Sequence, residues 1–566
     1  MFSKDSASRS LATDLLVVAG FCAFLFFFGL ASFGLLGADE PRYAQISREM
    51  LARHDWVTPV LYGKAWLEKP VLYYWEAMLS YSVFGVSDWA ARLPSALDAS
   101  AMVFGIYFFL RRFRPGAELN GALIAASSAA IIGYARGAST DMPLSAAFTI
   151  SMLCWMAWHL SNREGQPAAA ATGALDPRLW LAGFYVFIGL GTLAKGPVAP
   201  FLAGLIVVVF AAVKRDGRLI VRTLWVPGIF LFLVVALPWY VAVQRSTGVF
   251  FREFFLEQNL ARFGSNVYHH PQPFWFYVAV VLPIALVPWT VFAFTAFVDA
   301  MRRSFRSFRT ANNPAPSAEG PVENGAELSL LLVLWGALPV IFFSFSGSKL
   351  PGYIVPALPP FAIVTADYVR RKLWKAEKAN RVLLLLHSVV AGALLGGALL
   401  TQYFVAHVHP PAAAIALAST TAAIIFTAMF LTLRRQGLKA LRFVTLVPMI
   451  VALAFTVRVS APALDGYLSA RPVAQKIARI APQKTTVAGF NIQRETEYGL
   501  AFYRNQPVPR YERAEVPPED HLLITRAGFG EAAAALLPGR RLSPVGEFAP
   551  QWLDFYWVST RPSPGN

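Results

Sequence analysis

Residues 11–37 read LATDLLVVAGFCAFLFFFGLASFGLLG, and residues 38–51, which follow at once, read ADEPRYAQISREML. The first stretch carries a single charge, Asp14. At a rise of about 1.5 Å per residue its uncharged part is long enough to cross a hydrocarbon core of about 30 Å. Its length, with Lys4 and Arg9 ahead of it, marks an anchor and not a cleaved secretory signal. The acidic pair Asp39-Glu40 then opens a loop crowded with Arg, Lys, Tyr and Trp, so the first carboxylates after the anchor stand where chemistry at a membrane surface would need them.

The rest of the chain extends this pattern. With 566 residues, 56% of them hydrophobic, and a mean hydropathy of +0.49, it is too apolar for an ordinary soluble protein. The formal charge of +17 is spread in short clusters between apolar runs, as topology determinants are, which excludes a nucleic-acid binder. Cys22 and Cys154 lie inside apolar runs and read as packing residues, with no disulfide or thiolate metal framework.

Apolar segments of membrane length follow at about 89–110, 119–136, 141–160, 179–194, 196–213, 221–243, 274–300, 329–346, 353–369, 382–404, 411–433 and 441–457, thirteen with the first. The segment 71–84 is short and interrupted by Glu76. If it does not span, the clusters Arg111-Arg112-Arg114, Lys214-Arg215-Arg218, Arg302-Arg303-Arg306-Arg309, Arg370-Arg371-Lys372-Lys375 and Arg434-Arg435-Lys439 all fall on the side of Lys4 and Arg9. The positive-inside rule selects that arrangement, with 71–84 a helix in the outer interface. Residues 301–327 read as a cytoplasmic linker. From 459 onward the sequence turns polar and mixed, with β-prone runs at 485–490 and 552–559. The expected fold is therefore an all-α polytopic membrane domain over 1–458, with a first outer loop at 38–88, and a small soluble α/β domain over 459–566.

On this topology the polar residues gather at one face: Asp39, Glu40, Arg42, Tyr43, Arg48, Arg53, Lys64, Glu68 and Lys69 in the first loop, and Asp141, Lys195, Arg262, His269, His270, Lys349 and Tyr353 at other span ends. Cations are unexpected there unless an anionic ligand calls for them. A lipid phosphate fits, since Arg grips it through two donors, Lys supplies a point charge and Tyr a hydroxyl. Lys69 and Arg262 are read as functional, whereas Arg48, Arg53, Lys64 and Arg252 are read as headgroup anchors. Asp39 and Asp141 lie at apolar span ends, where an ionised group needs a partner or a task. Each suits either a general base or a charge that orients an amino sugar, and each also suits a helix cap. Glu68, His269 and His270 have the ligand types of a zinc site; interfacial hydrogen bonding is the alternative.

At these residues the chain resembles the polyprenyl-phosphate-dependent membrane glycosyltransferases of the GT-C, protein-mannosyltransferase-like type, and among them the lipid A aminoarabinose transferases. The likeness rests on an ordered series: Asp39-Glu40-Pro41-Arg42-Tyr43-Ala44, Ile46-Ser47-Arg48-Glu49-Met50-Leu51, Leu67-Glu68-Lys69-Pro70, Ala194-Lys195-Gly196-Pro197, Ala261-Arg262-Phe263, His270-Pro271-Gln272-Pro273-Phe274-Trp275 and Ser348-Lys349-Leu350-Pro351-Gly352-Tyr353. It covers roughly the first 370 residues. The resemblance implies thirteen membrane helices, interfacial helices in the first outer loop and an outer C-terminal domain. It also implies transfer of 4-amino-4-deoxy-L-arabinose from undecaprenyl phosphate to a lipid A phosphate at the periplasmic face of a bacterial inner membrane. Asp39 and Asp141 then belong near sugar and acceptor, with Lys69, Arg262 and Tyr353 around the donor phosphate. Arg42, Tyr43 and Lys349 are further candidates for that phosphate, and Glu40 for the acid–base work. The rival readings are transfer of a sugar to protein, and a transporter without covalent chemistry.

Overall fold

The structure, a computed structural model, describes residues 10–162, 176–261, 272–311, 322–377 and 380–560. Among them, eight helices are long and apolar enough to cross a membrane, or ten if each of two bent pairs counts as one crossing. The bent pairs are Tyr277–Ala285 with Thr290–Arg306, turned by 118°, and Pro351–Ala357 with Pro359–Trp374, turned by 44°. The polytopic helical architecture expected from hydropathy is present, but the tally of thirteen crossings is not confirmed. Leu11–Phe27 and Val198–Lys214 are apolar and short, and the segment expected at 119–136 is two helices, Glu118–Ala126 and Ala129–Ala135. Ser127 and Ser128 between them donate back to the carbonyls of Leu123 and Ile124.

The anchor is shorter than its apolar run. Ser10 caps the first helix by accepting the Thr13 N–H at 3.1 Å, and helical structure ends at Phe27. A helix end leaves orphaned carbonyls, which cost free energy when kept from water. Two guanidiniums from elsewhere collect them and those of the irregular chain beyond. Arg136 donates to Phe28 O and Gly29 O, both at 2.9 Å, and Arg92 to Leu30 O at 2.9 Å, Phe33 O at 2.8 Å and Gly34 O at 2.7 Å.

The first loop holds the helices Asp39–Ala52 and Leu72–Phe84, joined through a small hairpin in which Val60–Leu61 pairs with Lys64–Ala65. The helix expected at 71–84 is thus present. Tyr43 of the first helix packs on Tyr73 and Tyr74 of the second, with ring centroids 6.1 Å apart in both cases.

At the opposite end of the bundle the basic clusters are tied to acids. Asp367 receives Arg370 at 2.8 Å and Arg371 at 2.9 Å, and Asp299 receives Arg371 at 2.6 Å and Arg303 at 3.1 Å. The expected linker at 301–327 is largely helical where it is described: one helix runs over Thr290–Ala311 and the next over Val322–Ser344. Arg303 on the first of these helices reaches Asp299 and Asp367, a pairing that the composition of the segment did not reveal.

The C-terminal unit carries a four-stranded sheet. Val487–Phe490 runs parallel to His521–Arg526, which pairs antiparallel with Leu553–Thr560, which pairs antiparallel with Arg540–Phe548. Both β-prone runs read from sequence are strands. The helices Arg471–Ile480 and Arg494–Arg504 bury Val473, Ile477, Leu500 and Ala501 against Val487, Leu522, Ile524 and Phe555 of the sheet. The preceding apolar helical stretch continues to Leu468, so the sheet unit begins after it.

This unit, together with the helix Ala461–Leu468 that leads into it, sits directly on the end of the anchor. Gly34 N–H donates to Asp465 Oδ1 at 2.6 Å and Leu35 N–H to Tyr503 Oη at 2.8 Å. A Cβ on Gly34 would stand 2.2 Å from Ser469 Oγ and 2.5 Å from Tyr503 Oη, so only glycine admits this approach. Arg471 closes the joint, reaching Asp465 at 2.7 Å and Asp88 at 2.9 Å.

Candidate active site

The first loop and the ends of three helices meet beneath the C-terminal unit. Asp39 is the first residue of its helix and the most open of the predicted carboxylates, with 59% of its side chain exposed. Its place at a helix N-terminus suits a negative charge. Arg42, one turn on, binds Asp39 Oδ1 at 2.5 Å and lies 3.6 Å from Glu68. The guanidinium is buried, 6% exposed, among aromatic rings: Trp66 at 5.1 Å, Tyr43 at 5.3 Å and, from the C-terminal unit, Tyr498 at 5.6 Å. Burial disfavours the cation, but the charges of Asp39 and Glu68 help to outweigh it and keep Arg42 charged. Burial, reinforced by Asp39, holds the neighbouring Tyr43 hydroxyl well above its usual range, so it is protonated at neutral pH.

A second group faces this one. Asp141 opens the helix Asp141–Ser161 and is bound by Lys195 at the end of Pro177–Lys195. The Lys195 ammonium also lies 5.2 Å from the centre of the Tyr353 ring. Tyr353 stands in the short 3₁₀ segment Pro351–Ala357, its ring tilted by 40° against that of Phe343 with centroids 5.1 Å apart, and Tyr277 fixes the entry to that segment by donating to Leu350 O at 3.0 Å. Gly352 lets the backbone pass close: a Cβ there would be 2.7 Å from Asp141 Oδ1 and 3.0 Å from Tyr134 Oη. The two groups are within electrostatic reach, since Asp39, Glu68 and Asp141 all act on Tyr43.

The structure thus brings together Asp39, Arg42, Tyr43 and Glu68, and separately Asp141, Lys195 and Tyr353. Lys69, half-buried, follows Glu68 on the same turn. Glu40 faces elsewhere: Arg92, fully buried, holds it at 2.6 Å and 3.0 Å, and the Leu36 N–H donates to it at 3.2 Å. Its carboxylate locks the helix Asp88–Phe113 to the end of the anchor. Lys349 is buried and donates to Ser346 O at 2.7 Å, satisfying the turn before the 3₁₀ segment. Arg262, His269 and His270 lie outside the described residues, and with them two of the three ligands expected for zinc.

Sequence reading missed Arg92, Tyr134, Tyr277 and Tyr498. For Arg92 a signal existed, a cation four residues into an apolar helix, which is tolerated only with a partner.

The fold that sets this site is shared with the crystal structure of ArnT from Cupriavidus metallidurans bound to undecaprenyl phosphate, at a TM-score of 0.74 and 22% identity over 98% of this chain and 100% of that one. The archaeal oligosaccharyltransferase AglB from Archaeoglobus fulgidus aligns at a TM-score of 0.52 and 10% identity, over 93% of this chain and 70% of that one. In sequence, residues 12–254 match the family described as dolichyl-phosphate-mannose-protein mannosyltransferase. The fold is therefore the one that these solved structures share. More narrowly, the chain is 30% identical over 396 residues to an undecaprenyl phosphate-alpha-4-amino-4-deoxy-L-arabinose arabinosyl transferase of Pseudomonas fluorescens, 69% of this chain and 62% of that protein. It is 31% identical over 368 residues to the Pseudomonas aeruginosa transferase of that name, 65% of this chain and 61% of that protein. The chain spans less than two thirds of the length of these curated relatives. The resemblance read from the ordered motifs holds in sequence and in fold.

Proposed function

We propose that the protein transfers 4-amino-4-deoxy-L-arabinose from undecaprenyl phosphate to a phosphate of lipid A, at the periplasmic face of the inner membrane. The observation that carries the reading is the convergence of Asp39, Arg42 and Glu68 with Asp141, Lys195 and Tyr353 on one end of the bundle, opposite the arginine clusters. In the reaction, an acceptor phosphate oxygen bonds to the anomeric carbon as the bond from that carbon to the carrier phosphate breaks, and the electron pair leaves on the carrier oxygen. A phosphate monoester with a second pKa of about 6 arrives largely ionised at neutral pH. The site then has less proton abstraction to do than charge to place: Lys69 meets the negative charge growing on the leaving phosphate, and the carboxylates orient the sugar and acceptor.

Purified protein in detergent, given aminoarabinosyl undecaprenyl phosphate and lipid A, is expected to yield modified lipid A without any gradient. The matched mannosyltransferase family makes a polypeptide acceptor the alternative, and exclusive labelling of protein would reverse the choice of acceptor. No product with either acceptor would favour a transporter. Gly352→Ala is expected to lower turnover at least tenfold with unchanged yield of folded protein, because its methyl group displaces the Asp141 carboxylate from Lys195. Wild-type turnover by this variant would show that the Asp141 position does not matter.

A further inference from the structure

The interfacial helix Leu72–Phe84 is stitched to the span Asp88–Phe113 by two of its hydroxyls. Tyr73 donates to Ala91 O at 2.8 Å and Ser80 to Ala90 O at 2.7 Å. The second bond has a cause in the sequence: Pro94 lacks the N–H that would serve the Ala90 carbonyl within the helix, and Ser80 serves it instead. Glu76, three residues after Tyr73 and four before Ser80, lies on the same face. Across from it, Ser95 and Asp98 follow Ala91 by four and seven residues, again on one face. Glu76 Oε2, Ser95 Oγ and Asp98 Oδ2 are shut off from solvent and have no hydrogen-bond partner among the described residues. Buried polar groups are nearly always satisfied, so three together need a cause. Glu76 lies within electrostatic reach of Asp98 and of Tyr73, and no cation among the described residues reaches either carboxyl. The charged groups of the other packed elements are engaged elsewhere: Glu40 with Arg92, Arg48 with Phe502 O, Lys195 with Asp141 and Asp14 with Tyr107.

We propose that Glu76 and Asp98 hold a proton between them at neutral pH, and that this hydrogen bond from carboxyl to carboxylate, supported by the Ser95 hydroxyl, fastens the interfacial helix to the span. Two ionised carboxylates that face each other without a cation repel, and each is costly away from water. One proton removes one of the charges and supplies the donor that the facing oxygen lacks. Burial and the Asp98 charge push the Glu76 carboxyl well above the ordinary carboxylate range. A metal ion fits less well, since three oxygens fall short of the about six to eight that calcium takes. The fastening bears on the candidate site because the same helix carries Tyr73 and Tyr74 against Tyr43, the neighbour of Arg42. The stability that the proton supplies is full below the usual carboxyl value of about 4 and is lost as pH climbs through the raised one. There the proton leaves to solvent, two negative charges face each other, and the helix is pushed off the span. The residue that interrupts the apolar run at 71–84 thus becomes half of a pH-sensitive lock.

Thermal unfolding in detergent, followed from about pH 5 to about pH 9, tests the lock without reference to transfer. It is measured for the wild-type protein, Glu76→Gln and Asp98→Asn. Each amide keeps the shape of the side chain and supplies a permanent donor where the proton would be. At neutral pH both variants are expected to unfold within about 2 °C of wild type. Between neutral pH and about pH 9 the wild type is expected to lose about 3–5 °C more than either variant. An equal alkaline loss in all three proteins would overturn the lock. Variants that no longer fold at neutral pH would overturn it too, because the site would then need both charges. So would a wild-type unfolding temperature that rises with added sodium or calcium while that of both variants stays fixed, the mark of a held metal ion.

Discussion

Lys69→Ala is expected to reduce transfer by about a hundred- to a thousandfold, the usual cost of removing one well-placed group that meets charge developing in a transition state. The effect is large because the leaving phosphate gains its charge in a partly dehydrated site, where a cation acts much more strongly than in water. Lys69 follows Glu68 on the turn after the hairpin and is half-buried, and thermal unfolding of the variant separates lost transfer from lost fold. Lys64, exposed on the hairpin itself, is the control: Lys64→Ala should turn over at close to the wild-type rate. Steady-state transfer by purified, well-folded variants decides the matter, and near-normal turnover of Lys69→Ala would remove Lys69 from the reaction.

The other large effect is structural. Arg92→Met strands Glu40 as a buried carboxylate without its cation and releases the carbonyls of Leu30, Phe33 and Gly34. Breaking a buried pair from one side costs about 3–5 kcal/mol, a large part of the stability of most domains. The variant is expected to accumulate poorly and to unfold at a clearly lower temperature in detergent. Adding Glu40→Gln removes the stranded charge, so Arg92→Met/Glu40→Gln should recover part of the loss. Thermal unfolding of the three variants separates the outcomes. An Arg92→Met protein as stable as wild type would mean that the pair does not hold the anchor to its neighbour.

These expectations show what sequence alone conveys. Hydropathy finds the helices because every backbone group in lipid must be satisfied within its own segment, which makes each crossing a long apolar run. It does not see where such a run stops being helical. The anchor ends at Phe27 because Gly29, in a left-handed conformation, is followed by chain whose carbonyls are taken by distant Arg92 and Arg136, and the segment at 119–136 breaks at two serines. The acidic pair Asp39-Glu40 is split by one contact a turn away and one far off in sequence. On a helix, adjacent residues point about 100° apart, so one carboxylate faces the Arg42 cluster and the other faces Arg92. The Asp141–Lys195 pair joins two residues that sequence placed at the same face without linking them. Tyr498 is hidden for the same reason, since its partner Arg42 lies in the first loop.

The most direct measurement is mass spectrometry of lipid A from bacteria with and without this protein, the donor pathway being present in both. Cells that carry it should show lipid A heavier by one aminopentose residue per modified phosphate, and cells carrying Lys69→Ala should resemble those without it. Lipid A identical in all three strains, with the protein folded in the membrane, would contradict the proposed transfer.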